Sequence, residues 1–275
     1  MKYIIEKNTV QETLIIPLYA RKLAMEYYPG LFHDEECIRL CDSIDYAYEG
    51  KTGLREKVGA LMGAQRQYDM ASCCKKYLAE HQFASVVNLG CGLDTTFYQI
   101  DNGTAKSFCL DMSDVITMRR ELLPERERET CISCDLNDTT WFEKIEFEPE
   151  KGAVFFASGV FYYFFKEDII RLVSAMAERF PGGLLCFDAT TEKGIKGMQK
   201  TWLKLADIQV GTYFYLMDAE REVSAWSDHI SKVTKKGYMT AYRPLQKEYG
   251  FIPNLVFRIF EATNSGQLIE VEFSE

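Results

Sequence analysis

The sequence predicts an α/β protein built on a doubly wound, mostly parallel sheet, and three observations carry that prediction. Val86-Val87-Asn88-Leu89 is a short apolar run that flows directly into the glycine turn Gly90-Cys91-Gly92. Two further apolar runs, Phe108-Cys109-Leu110-Asp111 and Cys131-Ile132-Ser133-Cys134-Asp135, each end in an aspartate. Between residues 84 and 188, strand-length apolar runs alternate with stretches of helical periodicity, the pattern of right-handed βαβ crossovers. A chain of 275 residues that is 47% hydrophobic and 27% charged buries a large core in one unit.

The elements follow in order. Thr9 to Tyr28 and Gly53 to Glu80 repeat apolar positions at three and four, so residues 1–80 read as a helical layer ahead of the sheet. Within 81–275 the expected strands are 86–89, 106–110, 130–134, 153–157 and 183–188, with helices over 94–100, 113–122 and 166–179. Pro181-Gly182-Gly183 stops the third of these helices and starts the fifth strand. Residues 189–226 read as a helical, substrate-side insertion over the carboxyl edge. Two late strands follow, Ile230–Val233 and Leu268–Phe273, the last alternating as an antiparallel edge or hairpin strand does. The layer and the sheet are expected to form one structural unit.

Charge and cysteine use narrow the function. A net charge of −9 without a cluster of Lys and Arg works against a nucleic-acid partner. The nine cysteines are odd in number and sit mostly in apolar runs, so they read as reduced core residues and no metal is expected. Cys131 and Cys134 have CxxC spacing, but on a strand they face opposite ways. The charged N-terminus and the lack of a long apolar stretch point to a cytoplasmic protein with no membrane partner.

A glycine turn between a strand and a helix presents backbone N–H groups to a nucleoside-containing ligand. Gly90-Cys91-Gly92 is followed by Leu93-Asp94-Thr95, so the third glycine of a dinucleotide fingerprint is missing. An adenosine with a small charged tail fits better than a pyrophosphate. Asp111, about twenty residues on, is placed to accept both ribose hydroxyls. Asp135, ending the next strand, is placed to read the adenine amine. The alternative for either aspartate is a helix cap or loop residue.

These segments resemble the leucine carboxyl methyltransferase family, which also contains the polyketide-carboxyl O-methyltransferases. The likeness lies in Asn88-Leu89-Gly90-Cys91-Gly92-Leu93-Asp94-Thr95-Thr96-Phe97, in Leu110-Asp111-Met112-Ser113-Asp114-Val115-Ile116 followed by Arg119-Arg120, and in Asp135-Leu136 before Trp141. Gly159-Val160-Phe161-Tyr162-Tyr163 continues it, and Thr13 to Arg21 is similar to the start of a bacterial branch. The resemblance implies a Rossmann-like, seven-stranded sheet with its last strand antiparallel and S-adenosylmethionine as cofactor.

It also implies roles. Arg66 corresponds to the arginine that pairs with the methionine carboxylate, and Gly90, Cys91, Gly92, Asp94 and Thr95 to the cradle beneath the methionine part. Asp111, with Met112 and Val115, falls at the ribose; Asp135 and Leu136 fall at the adenine edge. Tyr163 matches a tyrosine near the methyl-transfer point. Ser158 stands at a cofactor-contacting position where the leucine-carboxyl enzymes carry glutamate, which weakens any assignment to their protein substrate. Tyr19, Arg21, Tyr162, Tyr163 and Trp226 are candidates to line the acceptor pocket, Arg21 as partner of an acceptor carboxylate. A carboxylate acceptor is ionised at neutral pH and needs no base, whereas His33, His81 and His229 fall in no recognisable site motif. The expected activity is O-methylation of a small molecule, with a non-catalytic S-adenosylmethionine-binding protein and a nicotinamide-dependent reductase as rivals.

Overall fold

The computed structural model describes residues 2–5, 10–46, 53–198 and 211–275. The N-terminal layer comes first. Tyr3–Ile4 (β1) and Ile44–Asp45 (β2) pair in parallel at its rim. Helix α1, Val10–Tyr27, runs through Pro17, and helix α3, Leu54–Glu80, crosses it closely enough that a Cβ on Gly63 would lie 3.0 Å from the Ala20 Cβ. Between them, Glu35–Ser43 (α2) is a helix that the sequence reading lacked; the Asp34 carboxylate caps it by accepting from the Cys37 N–H at 2.9 Å. Thr9, the expected start of α1, lies outside the described residues.

The sheet then builds as expected, with small shifts in bounds. Its strands are Ser85–Leu89 (β3), Lys106–Asp111 (β4), Glu129–Ser133 (β5), Ala153–Ala157 (β6), Leu184–Ala189 (β7), Ile230–Gly237 (β8) and Gln267–Phe273 (β9). The order across the sheet is β5-β4-β3-β6-β7-β9-β8. β3 to β7 are mutually parallel, and β9 runs antiparallel to both β7 and β8. The last strand is therefore antiparallel, but it is an interior strand, not an edge or hairpin strand. β9 is buried along nearly its whole length, whereas β8 is half-exposed and forms the edge. β3 and β6 are buried at every position, as parallel strands covered on both faces are.

Helices cover both faces. α3, Thr96–Ile100 (α4) and Ser113–Leu122 (α5) pack on one, and Lys166–Arg179 (α6) packs on the other over Val87, Leu89, Phe155 and Phe187. The acids Glu167 and Asp168 open α6 and Arg179 closes it, complementing its dipole. The expected helix over 189–226 resolves into Glu192–Met198 (α7) and Ala219–Ser224 (α8), with residues 211–216 outside any helix. Residues 199–210 of that expectation lie outside the described residues. Phe251–Ala262 (α9) is a further helix that the sequence reading lacked. No helix among the described residues is long and apolar enough to cross a membrane.

Chain order reverses at β3 and β6: β4 and β5 step away on one side, β6 and β7 on the other. The crevice outside the carboxyl ends of these two strands is where ligands of open α/β sheets bind.

Candidate active site

Backbone conformation sets the turn after β3. Gly90 and Gly92 have φ of +69° and +44°, in the left-handed region that glycine favours. A Cβ on Gly90 would lie 2.6 Å from the Val160 side chain, so the turn after β3 and the loop after β6 meet at the point of reversal. The Cys91 N–H reaches the Leu110 carbonyl at 2.9 Å, while its side chain is buried with Cys109, Ile116 and Cys131. The Cys91 carbonyl accepts the Asp94 N–H at 2.8 Å, so its backbone polar groups are spent within the turn and its expected place in the cradle is structural. Cys131 and Cys134 pack into different core clusters, on opposite faces of the sheet.

Arg119 holds this turn from below. It is 1% exposed, donates from Nη1 to the carbonyls of Gly92 and Asp94 at 3.0 and 2.8 Å, and pairs through Nη2 with buried Glu129 at 3.0 Å. The signal for it lay in spacing: Val115, Arg119 and Leu122 share the buried face of α5, so Arg119 stands where an apolar residue is expected.

At the end of β4, Asp111 accepts the Gly92 N–H at 2.8 Å on one oxygen and the Met112 N–H at 2.8 Å on the other. Burial pushes its carboxyl above the usual range against the pull of those two bonds. Met112 is exposed and Val115 buried beneath it. Asp135 is exposed and accepts the Asn137 N–H at 2.9 Å, whereas the Leu136 side chain is buried in the main core. Leu136 has only its backbone to offer a base edge.

The loop after β6 forms the other wall. Ser158 is half-buried, and Gly159, with φ +75°, lies so close under Arg66 that a Cβ there would be 2.7 Å from Nη1. Arg66, from α3, sits 3.5 Å from the Asp188 carboxylate at the end of β7. Asp188 also accepts from the Gly159 N–H at 2.6 Å and the Tyr162 hydroxyl at 3.0 Å. Burial, then the Asp188 charge, raises the Tyr162 phenol well above its ordinary value; burial raises Tyr163 too, against the pull of Arg66. Tyr238, just past β8, lies beside Arg66, and burial pushes its phenol up to about 12. Asp188 and Tyr238 were not singled out in the sequence, although Asp188 ends a strand just as Asp111 does.

Five expected roles need correction. Arg21 does not wait for an acceptor carboxylate: it is 5% exposed, lies 3.4 Å from Asp94 and 3.8 Å from Asp34, and donates to Thr95 and the Leu93 carbonyl. The Asp94 carboxylate is engaged by the Thr96 N–H and hydroxyl, Asn88 and Arg21, so it caps α4 instead of facing a ligand. Thr95 is buried between Arg21, Gln67 and Asp34, locking the N-terminal layer to the glycine turn. Trp226 packs against the main core, on Phe214, and its carbonyl accepts from Ser174, so it belongs to packing and not to the group at Arg66. Tyr19 bonds the Tyr46 carbonyl and packs in the cluster between α1 and α2, away from the residues around Asp188. Of the aromatic candidates, Tyr162 and Tyr163 alone join the group at Arg66.

A family model described as leucine carboxyl methyltransferase matches residues 23–177. The chain belongs to that family. Membership makes it a methyltransferase with S-adenosylmethionine as donor. The matched span holds Arg66, the glycine turn, Asp111, Asp135 and Tyr163, and ends before Asp188. TcmP, the O-methyltransferase of tetracenomycin polyketide synthesis in Streptomyces glaucescens, is 27% identical over 182 residues, 66% of this chain and 66% of its own length. Among solved structures, a candidate methyltransferase from Thermobifida fusca superposes with a TM-score of 0.61 at 14% identity, covering 98% of this chain and 96% of that one. A DUF574-family protein from Streptomyces avermitilis gives 0.59 at 10% identity, covering 92% of this chain and 96% of that one. Both share the fold of this methyltransferase.

Because Trp226 belongs to packing, Trp226→Ala is expected to cost about 2 kcal/mol of stability, less than a fully buried tryptophan, and to leave the affinity for S-adenosylhomocysteine unchanged. Urea denaturation and calorimetry on one preparation check both halves.

Proposed function

We propose that the chain methylates an oxygen of a small-molecule acceptor, a carboxylate, and that the crevice at β3 and β6 holds the donor. The single observation that carries the reading is the disposition of charge around the Cβ-free glycine turn. A carboxylate at the end of β4, Asp111, lies on one side of it and a cation, Arg66, on the other. A ligand with a diol at one end and a carboxylate at the other matches that arrangement. Asp111 takes the ribose hydroxyls, Asp135 and the Leu136 backbone the adenine edge, and Arg66 the amino-acid carboxylate. Ser158 adds a short hydroxyl at the half-buried wall beside Gly159.

S-adenosylmethionine, when bound, supplies a methyl group on a positively charged sulfur. The chain's own contribution is alignment: the turn held by Arg119 and the wall held by Asp188 fix the donor so that an acceptor oxygen approaches in line. The surrounding groups are poor bases. Tyr162, Tyr163 and Tyr238 all have raised phenol pKa values and stay protonated at neutral pH. His81 and His229 lie at the amino ends of β3 and β8, and His33 is exposed on the α1–α2 connection. An acceptor that arrives ionised fits such a site, and a carboxylate does.

The test is calorimetric titration of cofactor-free protein with S-adenosylmethionine, S-adenosylhomocysteine and NADH, followed by S-adenosylhomocysteine release with matched aromatic and aliphatic acids and phenols. Binding of both sulfur nucleosides without NADH, and turnover with acids over phenols, is the expected outcome. Binding without turnover on any acceptor would leave a binding protein, and turnover on phenols alone would overturn the carboxylate. Asp111→Ala is expected to weaken S-adenosylhomocysteine binding by roughly 1.5–3 kcal/mol, about ten- to hundredfold. An unchanged affinity would remove Asp111 from the ribose.

A further inference from the structure

Asp188 lies outside the span that the family model matches, yet it joins three elements of the crevice. Its side chain is 1% exposed at the carboxyl end of β7. One oxygen takes the Gly159 N–H at 2.6 Å; the other takes the Tyr162 hydroxyl at 3.0 Å and Arg66 Nη1 at 3.5 Å. A buried carboxylate with this set of donors is held in one orientation, because turning it would forfeit a bond in the interior. Arg66 is held by it in turn. The guanidinium lies against the Cβ-free face of Gly159, where a side chain would collide with it, and its side chain keeps 19% exposure.

The pair with Asp188 uses Nη1, and a guanidinium carries five donors in a rigid fork. We propose that Asp188 is a positioning residue of the donor site: it aims the rest of the Arg66 fork at the carboxylate of the donor's amino-acid part. The inference rests on the reading of Arg66 given under Proposed function. Asp188 touches no ligand in this scheme; it acts through Arg66 and through the Gly159 turn on which Arg66 rests. The carboxylate also balances the Arg66 charge before the donor binds, so the cation stays inside the wall of the crevice instead of turning to solvent.

The test uses two ligands that differ in the part Arg66 reads. S-adenosylhomocysteine carries the amino-acid carboxylate; 5′-methylthioadenosine keeps the adenosine and the thioether and lacks it. Titration of the full chain is expected to show that Asp188→Asn weakens S-adenosylhomocysteine binding by about ten- to hundredfold, the worth of a charged hydrogen bond, and leaves methylthioadenosine within about threefold. Arg66→Gln is expected to reproduce that selective loss, and the double variant to lose little more than either alone. Equal loss of both ligands in Asp188→Asn would make Asp188 a scaffold residue and overturn the proposal. So would an unchanged ratio of the two affinities in Arg66→Gln, an outcome readable even if Asp188→Asn does not fold. Failure of the unaltered protein to bind either ligand would instead strike the donor site itself.

Discussion

Arg119→Met is expected to cost about 3–5 kcal/mol of folding stability, measured by urea denaturation, because it leaves Glu129 as an uncompensated charge in the interior. The Glu129 side chain has no exposed surface, and its remaining neighbours are weak partners: the Cys109 thiol at 3.4 Å and the Tyr98 hydroxyl at 3.2 Å. The same change removes both donors from the carbonyls of Gly92 and Asp94, so the turn that forms the floor of the crevice loses its fixed height. Arg119→Met/Glu129→Leu is expected to recover much of the stability, since an apolar pair of similar volume needs no compensation. It is not expected to recover S-adenosylhomocysteine affinity, because the carbonyls stay unclamped. A loss below about 1 kcal/mol in the single variant would show that the pair is not what holds the turn.

Much of this architecture is legible because buried parallel strands leave an uninterrupted apolar signature. Ser85–Leu89 and Ala153–Ala157 have no exposed position, and the sequence placed both to within a residue. β9 misled for a physical reason. Its alternation of Glu270 and Glu272 with apolar residues imitates a strand facing water, yet Glu270 is buried and bonded by Lys236 and Tyr242, while Glu272 pairs with Lys232. The acids are matched by the neighbouring edge strand β8, and pairing between strands so far apart in sequence leaves no local trace. α9 was missed because Phe251, Ile252, Leu255 and Ile259 are exposed, so its apolar residues do not mark a buried face.

Strand-end reasoning pointed to Gly90, Gly92 and Asp111, which the structure brings together at one turn, and gave ligand roles to neighbours that are spent on packing. Gly90, Gly92 and Asp111 follow from what a turn and a strand end require of any ligand. Arg21, Asp94 and Thr95 are polar residues in the same neighbourhood, but they satisfy one another across the seam between the helical layer and the sheet. Composition and spacing do not distinguish a polar group waiting for a ligand from one paired with a residue seventy positions away. Asp188 shows the converse, since the rule that picked Asp111 and Asp135 applied equally to the acid ending β7.

The second large effect lies in α3, the helix that carries Arg66. One turn further on, Asp69 is 1% exposed, and one of its oxygens accepts from Gln65 at 2.8 Å. Burial pushes its carboxyl up to about 8; Gln65, Arg243 and the Tyr242 N–H pull it down and Glu261 pushes it up. The folded protein therefore holds a proton that the unfolded chain releases near the ordinary aspartate value of 3.8. The stability Asp69 contributes is fully present below that value, falls as pH rises from about 4 through 8, and levels off above, by on the order of 5 kcal/mol at the upper bound. Asp69→Asn keeps the shape and removes the titration. Its stability relative to the unaltered protein is expected to rise between pH 5 and about pH 8 and to level off above, read from urea midpoints at each pH. Parallel profiles for the two proteins would mean that Asp69 is ionised in the fold, with Arg243 close enough to balance it. A rising difference would mean that α3 carries a neutral acid one turn from Arg66, held by Gln65 and not by an ion pair.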